Sequence, residues 1–358
     1  MRPLPRRSPL RPLAGLLLAL LVLLLPLAQA RAQAPAPPPA GAPANLLPED
    51  SRADVWRAIR QGEAGSVAAP NVLGGQLIQS EGEAWRNLRL GAYRLWAGWI
   101  LLGMLGLVAL FFALRGRVPM EHGPSGHTVR RFNGLERFAH WLTAITFIVL
   151  ALTGLNLMFG RTLLLPLVGK EAFATVTQTG KLLHNFLAFG FMAGIALMFV
   201  LWVWFNIPNR HDLVWILRGG GLFGGGHPPS RRFNAGQKLV FWSVVLLGSS
   251  LSLSGLQLMF PFTFSFFDST FAFLNQWVGT SLPTGLSPMA EQQLAILWHG
   301  FVSVVLMAIV IGHIYIGSLG MEGAFQAMGS GEVDLNWARQ HHDLWVEQLE
   351  RKRTLPAE

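Results

Sequence analysis

The sequence predicts an all-α membrane protein, a transmembrane helix bundle. Three observations predict it. The 358 residues are 51% hydrophobic and only 13% charged, where an ordinary soluble domain is roughly 25% charged, and the mean hydropathy is +0.40. Five apolar segments, at about 93–114, 138–159, 180–205, 238–260 and 291–317, can each cross a bilayer core about 30 Å thick as a helix. Four histidines, His140, His184, His299 and His313, fall within or at the ends of these segments. Ionisable groups at such depth are costly and mark function.

Composition also excludes. A net charge of +9 in a membrane protein is expected from basic cytoplasmic loops. No basic run is interleaved with aromatics as a strand-binding surface requires, so membrane lipid is expected as the surrounding partner and no nucleic acid. Cysteine is absent, which rules out disulfides, cysteine-held iron–sulfur clusters, C-x-x-C-H haem attachment and thiolate zinc sites. A redox centre in this chain must be held by histidine, methionine or a carboxylate, and any iron–sulfur cluster that feeds it belongs to another subunit.

The elements follow in order. Residues 1–32 read as a secretory signal peptide: Arg2, Arg6, Arg7 and Arg11 precede the apolar run 13–30, and Ala30 and Ala32 suit cleavage. An uncleaved anchor helix is the alternative. Residues 33–92 form an exported segment that begins with the Pro/Ala-rich linker 33–44. Residues 93–115 are the extra transmembrane helix, which opens with the interfacial Tyr93, Trp96 and Trp99. Residues 116–320 hold the four-helix membrane domain, and 321–358 a cytoplasmic C-terminal tail.

Loop charge sets the orientation. Arg115, Arg117, Arg130, Arg131 and Arg137 lie between the first two spans, and Arg210, Arg218, Arg231, Arg232 and Lys238 between the third and fourth. The connection 261–290 has no Lys or Arg, and 160–179 has only Arg161 and Lys170. The basic loops therefore face the cytoplasm and the N-terminus is exported.

With that orientation the histidines sort by depth. His299 and His313 are fourteen residues apart in one span, about 21 Å along a helix and close to a whole number of turns, so both leave the same face. His184 begins the third span on the exported side and His140 the second on the cytoplasmic side. Two level pairs result: His184 with His299 outside, His140 with His313 inside. Two hexacoordinate b-type haems with bis-histidine ligation, the four serving as axial ligands of haem iron, fit this pattern. Taken singly, each histidine could instead bond a neighbouring helix or sit at the interface. Zinc fits less well, because no carboxylate or cysteine accompanies the pairs. Gly154, fourteen residues after His140, lies at the outer level and could admit a haem face or pack a helix. His122, His127, His211, His227, His341 and His342 fall in loops or the tail, where surface histidine is the default.

In the loop before the fourth span, the glycine run 219–226 lacks the Lys-Ser/Thr of a phosphate loop. Asn234 and Gln237, in 234-NAGQK-238, could donate to a quinone carbonyl beside His313; equally, Asn234 could be an N-cap. Arg131 and Arg232, near the inner face, could pair with haem propionates.

The strings RFNGLERFAHW, KLLHNFLAFGF, WVWFNIPNRHDL, RFNAGQKLVFW, LAILWHGFVSVVLMAIVIGHIYIG and NWARQHHDLW occur in an order and spacing that resemble the cytochrome b (gamma) subunit of respiratory formate dehydrogenase over about 130–350. The resemblance implies a four-helix diheme cytochrome b core in the bacterial inner membrane. It implies anchoring of an iron–sulfur beta subunit and, through it, a molybdenum or tungsten catalytic alpha subunit, so that this chain does not itself oxidise formate. It also implies His184 and His299 on the outer haem, His140 and His313 on the inner, and Asn234, Gly236, Gln237 and His313 around a quinone, menaquinone or ubiquinone. The signal, linker and first span lie outside it. The cytochrome b of a membrane hydrogenase or thiosulfate reductase is the nearest alternative. A haem-free proton or ion transporter would call for Asp or Glu inside the spans, which the sequence does not offer there.

Overall fold

The structure, a computed structural model, describes residues 82–221 and 226–352 together with two short strands, β1 (Gly65–Ser66) and β2 (Gln76–Ile78), which pair antiparallel. The expected signal, the linker and the possible cleavage sites lie outside the described residues. All five expected spans are helices long and apolar enough to cross a membrane, and the chain is an integral membrane protein.

Short α1 (Gly82–Leu88) leads through a π-helical turn, Arg89–Tyr93, into α2 (Arg94–Arg115). Gly116, at φ 68°, ends α2 in a conformation that suits glycine. After β3 (Thr128–Arg130), the core begins with α3 (Gly134–Leu163) and α4 (Leu165–Trp202), the latter broken near its start at Gly169 (φ 80°). The short α5 (Arg210–Leu217) precedes α6 (Ala235–Met259). A helix the loop did not advertise, α7 (Phe266–Val278), then leads to α8 (Pro288–Tyr315), which starts on a Ser287 cap with Pro288 in the first turn. Beyond a π-helical turn, Ile316–Gly320, come α9 (Gln326–Gly329), β4 (Glu332–Asp334), α10 (Leu335–His341) and α11 (Asp343–Arg351).

The core is one helical hairpin used twice. Along α3 the sequence reads 131-RFNGLERFAHW-141 and then 153-TGLNLMF-159; along α6 it reads 232-RFNAGQKLVFW-242 and then 254-SGLQLMF-260, every position displaced by 101. Their partner helices share 182-LLHNF-186 and 297-LWHGF-301. Local chemistry repeats with the letters. Asn133 and Asn234 each cap their helix in a reciprocal box, with Glu136 and Gln237 returning the bond three residues on. Further along, the Asn156 amide donates to the Thr177 hydroxyl of α4, while the Gln257 amide donates to the Glu291 carboxylate of α8. Each polar pair ties the two helices of its hairpin together.

The halves meet through a reciprocal knot at the basic end. The Arg131 Nη2 donates to the Arg232 carbonyl at 2.7 Å, and the Arg232 Nη2 donates to the Arg131 carbonyl at 2.8 Å. Arg232 also pairs with Glu136 at 2.7 Å, while Arg131 reaches the corresponding Gln237 Oε1 at 3.4 Å. Phe132 and Phe233 pack on each other and on Trp202 between them. The contacts obey a two-fold relation between the hairpins. Arg131 and Arg232 are thus engaged with protein rather than standing ready for propionates, although the Arg131 Nη1 has no hydrogen-bond partner among the described residues.

The segment expected as a tail is folded. β4 pairs antiparallel with β3, and the Asp343 carboxylate accepts from the Ser230 amide. Trp337 and Trp345 lie against the Arg131 guanidinium. All three basic segments therefore join in one cap, as a single side of the membrane requires. His342, expected at the surface, is only 1% exposed, its Nδ1 2.8 Å from the Arg231 carbonyl. Burial, with the nearby His227 adding to it, pulls His341 down to about 4.

The extra span α2 packs along α8 and also meets α3. Ala97 of α2 joins Val304 and Met307, with Leu155 and Met158 around them. Along the rest of the bundle, large apolar side chains such as Leu102, Leu152, Val200, Leu246 and Phe301 face outward, as lipid solvent allows.

Candidate functional site

The four histidines come together as the depth argument paired them. The rings of His184 and His299 have centres 6.2 Å apart, and those of His140 and His313 are 6.1 Å apart. A metal–imidazole bond is about 2 Å and the ring centre lies about 1 Å beyond the nitrogen, so two imidazoles across one ion are about 6 Å apart, centre to centre. Both pairs have that spacing, which is too wide for a direct hydrogen bond between them and suits a shared six-coordinate iron.

The outer pair is built by the duplicated hairpin. The Thr153 hydroxyl lies 2.8 Å from the His184 Nδ1 and donates its own proton to the Val149 carbonyl at 2.7 Å. In the other half, the Ser254 hydroxyl lies 3.0 Å from the His299 Nδ1 and donates to the Ser250 carbonyl at 2.9 Å. With its proton spent on the helix, each hydroxyl offers a lone pair. That lone pair suits an Nδ1–H on each histidine, the tautomer that leaves Nε2 open to a metal. The next residues are glycines. A Cβ at Gly154 would meet the His184 Cε1 at 3.6 Å, and one at Gly255 would meet the His299 Cε1 at 3.3 Å. Gly154 and Gly255 thus occupy matching places in the repeat, each with its Cα against a paired imidazole.

The inner pair is set differently. The His140 Nδ1 is buried without a hydrogen-bond partner among the described residues, and the Trp141 ring meets the imidazole edge-on. Its two histidines come from non-equivalent positions of the repeat. Their counterparts, Phe241 on α6 and Met198 on α4, are buried in the main core.

The family described as prokaryotic cytochrome b561 matches residues 131–331. The chain belongs to this family. A cytochrome b carries b-type haem, and all four paired histidines of this cytochrome b561 family member lie inside the matched region. The chain is similar to the nitrate-inducible formate dehydrogenase cytochrome b556(Fdn) subunit of Escherichia coli K12, 27% identical over 61% of this chain and 89% of that one. The cytochrome b556(fdo) subunit of formate dehydrogenase in the same organism is 28% identical, over 64% and 98%. The formate dehydrogenase cytochrome b556 subunit of Haemophilus influenzae is 26% identical, over 58% and 78%.

Asn234 and Gln237 meet in the capping box that opens α6, so the N-cap reading of Asn234 holds. Their oxygens are occupied: Asn234 Oδ1 accepts from the Gln237 amide at 2.9 Å, and Gln237 Oε1 accepts from the Asn234 amide at 3.1 Å. The NH2 groups remain as donors. Gly236 lies under the Trp215 ring of α5, which a Cβ would meet at 2.8 Å. Lys238, buried, holds α5 there through Asp212 at 2.8 Å and the Ile207 carbonyl at 3.0 Å.

Sequence reasoning missed Thr153, Ser254, Gly255, Trp215 and the role of Tyr93, whose buried hydroxyl lies against Gly300, next to His299. The 101-residue repeat was the available signal for the first three, since it aligns Thr153-Gly154 with Ser254-Gly255. Nothing in the sequence pointed to Trp215. Carboxylates do occur buried at helix starts, Glu136 and Glu291, but both are bonded to backbone and side-chain donors as structural groups.

Proposed function

We propose that this chain is the cytochrome b (gamma) subunit of a formate dehydrogenase, carrying two b-type haems and delivering electrons to a quinone in the bacterial inner membrane. The observation that carries the reading is the presence of two imidazole pairs at iron-spanning distance, one against the middle of α8 and one at its C-terminal end. The named relatives support formate as the electron source. When bound, the haems supply a one-electron relay across the membrane; the protein supplies ligation, spacing and electrostatics. His184 and His299 hold the outer haem, His140 and His313 the inner. Asn234 and Gln237 present NH2 donors suited to quinone carbonyls, with Gly236 and His313 beside them. Residues 116–320 form the membrane domain, with the basic cap in the cytoplasm and the N-terminus exported. The partners are an iron–sulfur beta subunit on the exported side and, through it, a molybdenum or tungsten alpha subunit that oxidises formate.

The test is a reduced-minus-oxidised optical spectrum of membranes that contain the complex. A b-type signal equal to about two haems per chain is expected; its absence sinks the reading. His313→Ala should abolish quinone reduction and the inner haem, while formate oxidation by an artificial acceptor continues.

A further inference from the structure

The two pairs differ in what stands behind them. Both outer histidines have a hydroxyl oxygen on Nδ1, at 2.8 and 3.0 Å, each fixed by its own bond to a helix carbonyl. Behind the inner pair, the His140 Nδ1 is buried with no hydrogen-bond partner among the described residues. An acceptor on the far nitrogen draws the N–H proton toward itself and leaves the imidazole richer in electrons. An electron-rich ligand stabilises the more positive, ferric iron and so lowers the reduction potential. An imidazole without such an acceptor is the poorer donor, and its iron is easier to reduce.

We propose that the Thr153 and Ser254 hydroxyls hold the outer haem at a lower potential than the inner one, and so direct electrons from the His184/His299 site to the His140/His313 site. This rests on both pairs being haem ligands. In each transfer one electron leaves the outer ferrous iron, which becomes ferric, and reduces the inner ferric iron to ferrous. No ligand bond breaks, and the Nδ1 protons stay in place. Thr153 and Ser254 are positioning residues that act through the histidines, and their matched places in the repeat make them two independent copies of one device.

The experiment is a potentiometric titration of the b-type absorption in membranes that hold the full complex, with the outer couple identified as the one missing from His184→Ala. In the unmodified protein the outer couple should be the lower of the two. Thr153→Val and Ser254→Ala should each raise it, shifting the ferric-to-ferrous ratio at fixed ambient potential several-fold toward ferrous, where tenfold is about 59 mV. The double variant should add the two shifts, and the inner couple should not move. Thr153→Ser and Ser254→Thr keep the hydroxyl and should leave both couples in place. The proposal is overturned if the outer couple is the higher one, if the hydroxyl-free variants leave it unmoved, or if both couples shift together. A spectrum without b-type haem would instead overturn the haem reading itself.

Discussion

Replacing Glu136 by Gln tests the knot that joins the two hairpins. Glu136 is buried, accepts from the Arg232 Nη2 at 2.7 Å and the Trp202 Nε1 at 3.0 Å, and also closes the α3 capping box. Glutamine keeps the shape and an acceptor oxygen, so the box survives and the negative charge alone is lost. The charge has work to do: Arg131, 2% exposed, has no carboxylate among the described residues and faces the second guanidinium. Burial and Arg232 together already pull Arg131 down to about 9, opposed by Glu136. Unpairing a buried ion costs about 3–5 kcal/mol. Arg232 keeps 19% side-chain exposure, which favours the lower end, about 3 kcal/mol. At about 2–4 °C per kcal/mol for a domain of this order of size, the melting temperature should fall by about 6–12 °C.

The repeat supplies the rescue. Gln237 is the counterpart of Glu136 and stands 3.4 Å from the Arg131 Nη2, so Gln237→Glu moves the carboxylate to the matching site. The double variant should recover roughly half of the loss, a coupling of about 1–2 kcal/mol. Thermal unfolding of the detergent-solubilised protein, followed by circular dichroism, reads all four corners of the cycle. If Glu136→Gln melts within a degree of the parent, or the two changes are merely additive, the reciprocal knot is not what holds the halves together.

Other expectations follow from the same geometry. Gly255→Ala should weaken outer-haem retention more than Gly154→Ala, because its Cβ would lie at 3.3 rather than 3.6 Å from the imidazole. At an overpacking cost of about 1–3 kcal/mol, the loss is about 5- to 150-fold in affinity, and haem stoichiometry after purification measures it. The cap should loosen in acid. His341 titrates near 4 when folded against 6.5 as the reference, and burial likewise holds His342 low. The unfolded state therefore binds more protons, and stability that is full above 6.5 is lost as pH falls toward 4. Proteolysis of the C-terminal segment against pH checks the window. Lys238→Met should leave Asp212 without its buried cation and release α5, at about 3–5 kcal/mol; faster cleavage in the glycine run 219–226, with the spans intact, is the expected sign.

Much of the bundle was legible because a bilayer demands long apolar runs and places ionisable groups only where they serve. The spans and both histidine pairs followed from hydropathy and a fourteen-residue spacing. The family was legible from ordered motifs such as RFNGLERFAHW. What was hidden depends on contacts between distant segments. The tail's pairing of β4 with β3 joins residues some 200 positions apart, and His342 is buried by that docking rather than by its neighbours. α7 was hidden because its polar side chains serve its own loop: Asp268 accepts from the Gly285 and Leu286 amides, and Asn275 bonds Leu282. Thr153 and Ser254 read alone as ordinary helix hydroxyls; only the opposing imidazoles give them meaning.

The duplicated hairpin has a consequence for wiring. A site assembled from equivalent residues of both halves stands on the symmetry axis and has no preferred side. An electron there would face two equal exits, toward α3 with α8 or toward α6 with α4. In the proposed reading one exit is fitted with His140 and His313, while the symmetry-related exit is filled by Phe241 and Met198, both buried in the core. On that reading the conductor is single-file because one branch of the fork is filled. Its route is written in the few positions where the two copies of the hairpin disagree.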